Sequence, residues 1–120
     1  MPTGLQSCRI DQHHAALLAR QARRRHLDVS TLSSLYLKEK ALEEEFPGIG
    51  FRDGAGGREA YLVGHRVAVW EVMEVIREMK TTAKTAEHFG LPPLLVRAAV
   101  AFSRAYPNEI QQQRLGELGA

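Results

Sequence analysis

The chain reads as a mainly α protein with minor β. Three observations predict this. Apolar residues recur at helical spacing before Phe46 and again from Val67 to Tyr106. Between these stretches, Pro47-Gly48 and Gly54-Ala55-Gly56-Gly57 leave room only for two short strands. The composition, 120 residues with 44% hydrophobic and 25% charged, is that of an ordinary globular chain. That length makes one domain or two very small ones. A unit of roughly 40–60 residues buries too little surface to stand alone, so the pieces pack intimately or the chain pairs with itself. Leu17, Leu18, Leu32, Leu35 and Leu42 sit on two short segments that cannot close a core alone, which makes a dimer the expectation.

Each element follows from local signals. Residues 4–10, Gly-Leu-Gln-Ser-Cys-Arg-Ile, have weak strand character. Residues 12–25 form a helix, with Ala15, Leu17, Leu18 and Ala22 apolar and Arg20 and Arg23 to Arg25 polar. Asp28 or Ser30 caps a second helix, because its side chain accepts a free N–H of the first turn. That helix carries Leu32, Leu35, Leu42 and Phe46 and stops at Pro47-Gly48. Ile49–Arg52 and Arg58–Val63 form a β-hairpin whose turn uses glycine at positive φ. A phosphate-cradling loop requires a following helix and a Lys-Ser/Thr pair, which this stretch lacks. Three helices follow: one with Val69, Val72, Met73, Ile76 and Met79, one over Thr82–Phe89, and one from Pro92-Pro93 to Tyr106. Residues 108–120 read as a polar tail or a frayed helix.

Several function classes are excluded at this level. One cysteine, Cys8, makes no internal disulfide framework and no multi-cysteine metal site. No apolar run approaches the roughly 20 residues of a membrane span. The opening MPTGLQSCRIDQHH has no apolar signal region, so a soluble cytoplasmic protein is expected. The five histidines show no paired ligand spacing, so neither a zinc site nor a cofactor is expected. The carboxylates of Glu71, Glu74 and Glu78 sit beside Arg77 on a helix, as solvated pairs do. Nothing points to an enzyme.

Charge is uneven, with five arginines against two acids in residues 1–30. A basic end on a near-neutral chain suggests a polyanion partner, although most charge runs are only solvated faces. The N-terminal pattern fits a ribbon-helix-helix segment over residues 1–45, in which two chains pair a strand each and present the ribbon to the DNA major groove. Strand alternation then turns Ser7 and Arg9 toward DNA, and Arg9 can bond a guanine edge. Arg20, Arg23, Arg24 and Arg25 are the phosphate candidates. The other reading of this segment is a helical hairpin used only for dimerisation. Ala86, Gly90 and Val96 have the offsets of a helix-turn-helix. Its second helix begins Pro92-Pro93-Leu94-Leu95, which offers base edges no hydrogen bonds, so Leu94 and Leu95 fit a protein contact better.

Residues 61–110 resemble a small prokaryotic domain of the VapB-like antitoxin type. The family pattern is Gly-Thr-Arg-Ile-Pro-Val before a helix-turn-helix, closing on a His-Pro-Glu-Glu-Ile-like stretch. Here Gly64, Arg66, Val67 and Val69 match, His65 replaces Thr, and Ala68 replaces Pro. Tyr106-Pro107-Asn108-Glu109-Ile110 matches the close loosely. The stretch from Phe46 to Gly54, then Gly57-Arg58, is similar to a subset of these proteins with a ribbon-helix-helix-like N-terminus.

The resemblance implies a type II toxin–antitoxin system whose partner is a PIN-domain ribonuclease, with operator DNA as second partner. Residues 1–45 would be the dimerisation and DNA-binding segment. Residues 46–120 would be the antitoxin domain, a β-hairpin plus a helix-turn-helix-like three-helix domain and a polar tail. A PIN active site is a carboxylate cluster, so an inhibitor gains from an inserted guanidinium. The candidates are Arg52, Arg58, Arg66, Arg104 and Arg114; Arg52 and Arg58 flank the hairpin turn, and Arg114 lies in the tail. The alternative is a stand-alone DNA-binding transcription regulator without a toxin.

Overall fold

The structure is a computed structural model that describes residue 4 and residues 8–119. Among these residues it is mainly helical, with six helices and one two-stranded antiparallel sheet. Two compact units divide the chain, one ending at Lys38 and the other beginning at Glu39. The division therefore falls inside a helix, ahead of the Phe46-Pro47-Gly48 break.

The first unit holds α1 (Gln12–Arg24) and the first part of α2 (Val29–Glu45). Asp11 caps α1, its carboxylate accepting the His14 N–H at 3.0 Å and meeting the His14 ring Nδ1 at 2.6 Å. Asp28 rather than Ser30 caps α2, accepting the Thr31 N–H at 2.7 Å. Residues 8–10 form no strand. The rest of the expected ribbon strand, Ser7 included, lies outside the described residues. Ala22 and Leu32 are buried, and the Tyr36 hydroxyl donates to Gln21 Oε1 at 2.9 Å, tying α2 to α1.

In the second unit the end of α2 supplies Leu42 to the core, and Phe46 just beyond the helix packs against it. The hairpin follows as β1 (Ile49–Gly54) and β2 (Gly57–Leu62), paired antiparallel with Ile49 opposite Leu62 and Gly54 opposite Gly57. Ile49, Phe51, Ala60 and Leu62 alternate onto the core side. The turn glycines serve two different needs. Gly57 takes φ +112°, whereas Gly56 is required by proximity: a Cβ there would lie 2.6 Å from the Gly116 carbonyl carbon.

Beyond the hairpin, Gly64 turns the chain at φ +86° and the Leu62 N–H donates to the Val67 carbonyl at 2.9 Å. Glu71 then accepts the Ala68 N–H at 3.0 Å, half of a capping box, and α3 (Val69–Met79) begins. Next come α4 (Thr82–Phe89), capped by the Thr81 hydroxyl on Lys84 N–H, and α5 (Pro93–Ala105). Phe102 lies at the centre of this core, fully buried, with the Phe46 ring edge-on at 5.2 Å and the Tyr106 ring also at 5.2 Å. Burying a side chain of this kind contributes about 1.5–3 kcal/mol.

Of the two expectations for the C-terminal residues, a polar tail or a frayed helix, the helical one is nearer, but the segment is packed on the core rather than frayed. Residues 107–118 form a further helix, α6 (Pro107–Leu118), which starts on a proline as α5 does. Ile110 is buried in the common core, Gln113 accepts the Ala60 N–H at 3.0 Å, and Arg114 bonds Glu74 of α3. The helix has no apolar stripe strong enough to announce it. Ile110 in the core, the Gln113 bond to β2, the Arg114 bond to α3 and the close Gly56–Gly116 approach hold it in place.

Candidate functional site

In the first unit, α1 and α2 leave an apolar groove open. Ile10, Leu17, Leu18, Val29, Tyr36 and Leu37 line it, and Ile10 and Leu37 are each 51% exposed. Solvent-exposed apolar side chains gathered in one groove mark an interaction surface. Arg20, Arg23 and Arg24 are exposed, and helical spacing sets Arg20 and Arg23 off the groove side of α1. Arg25 is half-buried and engaged within the chain. Arg9 is exposed in the irregular segment before α1.

The hairpin arginines do not stand free, contrary to their expected presentation at a turn. Arg58 binds Glu39 of α2 with two hydrogen bonds, Nε to Oε2 at 2.9 Å and Nη2 to Oε1 at 2.5 Å. It also reaches Asp53, its cross-strand neighbour, at 3.1 Å. Hydrogen bonding to Glu39 is the main cause that raises the Arg58 pKa above its ordinary value, so its charge is fixed. Arg52 pairs with the opposite residue Glu59 at 2.8 Å and lies 4.9 Å from the centre of the Tyr61 ring. Arg114 belongs to ordered α6 and is held by Glu74. Three of the candidate cations thus have internal carboxylates, and Glu39 and Glu74 were invisible as partners because they come from distant parts of the chain. Arg66 is exposed at the turn before α3.

The α4–α5 pair shows the third surface. Gly90 ends α4 at φ +68°, a left-handed conformation that closes the turn. Ala86 and Val96 on either side of it are buried in the same core. Leu94 is 69% exposed, whereas Leu95 beside it is half-buried and packs against the core. Pro47, Gly48, Leu94, Leu95, Arg97 and Ala98 form a shallow apolar groove. Arg97 and Arg104 are exposed on α5, and neither makes an ion pair among the described residues. Arg97 escaped the sequence reading, although its spacing from Leu94 and from Arg104 puts all three on one side of α5.

The capping carboxyls of Asp11 and Asp28 are held below the usual value of 3.8, first by the backbone N–H groups of His14 and Thr31. Among the described residues no three His, Cys, Asp or Glu side chains gather as a metal site requires. No helix among them is long and apolar enough to cross a membrane. No protein-family model, curated protein or solved structure matches the chain.

Proposed function

We propose that this chain is the antitoxin of a type II toxin–antitoxin pair: a homodimer, or a higher even oligomer, that inhibits a PIN-domain ribonuclease and represses its own operon. The observation that carries the proposal is the arrangement of α1. One side lines the open apolar groove, and Arg20 and Arg23 stand off that side in solvent. A second copy seated in the groove removes its leucines from water, at roughly 25 cal/mol per Å² of apolar surface. It leaves Arg20, Arg23 and Arg24 exposed to neutralise phosphates. In the ribbon-helix-helix reading, Ser7 and Arg9 complete the DNA contact.

The second unit supports the VapB-like reading by the helix-turn-helix offsets of Ala86, Gly90 and Val96 and by the resemblance of residues 61–110. Its α5 begins with side chains that read no base edge, so operator binding belongs to the first unit and toxin contact to the second. The chain acts by binding, without a catalytic step or cofactor of its own.

Co-expression with the product of the adjacent gene tests this. The two proteins should co-purify, the neighbour's ribonuclease activity should be suppressed, and the complex should bind DNA from upstream of the pair. Specific binding of that DNA by a chain that ignores its neighbour would leave a stand-alone regulator. Binding of neither overturns the proposal.

A further inference from the structure

We infer that the exposed side of α5 is the seat of an acidic amphipathic helix of the toxin, with Leu94 as apolar anchor and Arg97 and Arg104 as its cationic rails. The inference rests on the antitoxin reading and names the chemistry of the partner. Leu94, Arg97, Ala101 and Arg104 follow helical spacing, and all four are exposed. The groove beside Leu94 is lined by Pro47, Leu95 and the small Ala98, with the Leu95 side chain filling the space that a Cβ at Gly48 would take. A helix carrying apolar side chains three and four residues apart fits such a groove.

Charge selects the flanks of that helix. Arg52, Arg58 and Arg114 are satisfied by carboxylates of this chain, while Arg97 and Arg104 are not. Carboxylates on the partner helix, about two turns apart, complete both. The same surface is poorly built for nucleic acid. The amide N–H groups at the start of a helix are its anion site, and here Pro92 and Pro93 remove two of them. The Leu95 N–H is already given to the Pro92 carbonyl at 3.0 Å. An exposed leucine stands where a phosphate or a base edge would have to lie.

The test uses the full chain and the product of the adjacent gene, with affinity measured by calorimetry. Arg97→Glu with Arg104→Glu should weaken the complex at least tenfold and remove most of its salt dependence. Leu94→Asp should weaken it similarly. Circular dichroism must stay unchanged, and the arginine pair serves if Leu94→Asp unfolds the chain. Arg20→Ala with Arg23→Ala should leave toxin affinity as it was. A complex that forms with wild-type affinity in every α5 variant overturns this inference alone. No complex with the wild-type chain overturns the antitoxin reading and this inference with it. Variants that keep the toxin but lose DNA make α5 a nucleic-acid surface and overturn the inference too.

Discussion

Arg58→Ala should destabilise the second unit more than Glu39→Ala, although the two residues form one ion pair. The Glu39 side chain is 11% exposed and that of Arg58 is 26% exposed. Breaking a fully buried pair by removing one partner costs about 3–5 kcal/mol, and breaking an exposed pair about 0–1 kcal/mol. Arg58→Ala leaves a nearly buried carboxylate with no guanidinium, so its cost lies at the edge of the buried range, about 3 kcal/mol. Glu39→Ala leaves a guanidinium that keeps Asp53 at 3.1 Å and has water at its open side. That half of the pair should cost only about 1–2 kcal/mol. Urea unfolding followed by the fluorescence of Trp70, the one tryptophan, reads this unit. The double variant should cost less than the two single costs combined, because each single variant strands the other's partner. If Glu39→Ala costs as much as Arg58→Ala, or if both fall under about 0.5 kcal/mol, the pair is only a surface contact and the reasoning fails.

Other outcomes follow from the same structure. Leu37→Asp in the open groove should make the full chain monomeric by sedimentation without unfolding it, since Leu37 is exposed within one copy; a stable dimer from this variant would mean that the groove is not the contact. Arg9→Ala should cost about 1–3 kcal/mol on the operator and little on random DNA, whereas Arg20→Ala or Arg23→Ala should weaken both and flatten the salt dependence; equal loss on both DNAs makes Arg9 a phosphate contact. The Asp11 and Asp28 caps contribute stability above pH 3.8, the usual carboxyl value, and lose it as pH falls through their lowered pKa values. Carboxyl chemical shifts should titrate with midpoints below 3.8, and a midpoint at or above that value contradicts the capping geometry. A chain starting at Glu39 should be more stable than one starting at Phe46 by about 2–5 kcal/mol, because the longer one keeps buried Leu42 and the partner of Arg58; equal urea midpoints would refute this.

How much was legible depended on the range of the forces. The helices α3, α4 and α5 announce themselves by apolar spacing, and Gly90, Pro92 and Pro93 mark their ends by chemistry within a few residues. The hairpin was legible for the same reason. What escaped was set by long-range pairing. Nothing local distinguishes Glu39 from Glu43, Glu44 and Glu45, and only the hairpin brings Arg58 to it across nineteen positions of sequence. Gln113 looked like tail, yet it satisfies the Ala60 N–H fifty-three positions away. Leu94 and Leu95 are adjacent and chemically alike, but helical rotation turns Leu95 onto the core and against Gly48, where a Cβ would meet Leu95 Cδ2 at 2.9 Å, and leaves Leu94 in solvent.

The ordering of α6 changes how the proposed partner would be held. A tail that folds on a toxin gives up conformational entropy at that moment, roughly 1–2 kcal/mol for each residue fixed. Here Ile110, Gln113 and Arg114 have already ordered the segment against the core, β2 and α3, and the Gly56–Gly116 approach leaves no room for a side chain at Gly56. A toxin that captured Arg114 would first have to break its bond to Glu74. Arg97 and Arg104 ask no such exchange, since their guanidiniums face solvent on a helix whose buried side is fixed by Val96, Ala99 and Phe102. Between a paired cation on α6 and two unpaired ones on α5, the free-energy difference favours α5, and that is why the toxin contact is placed there.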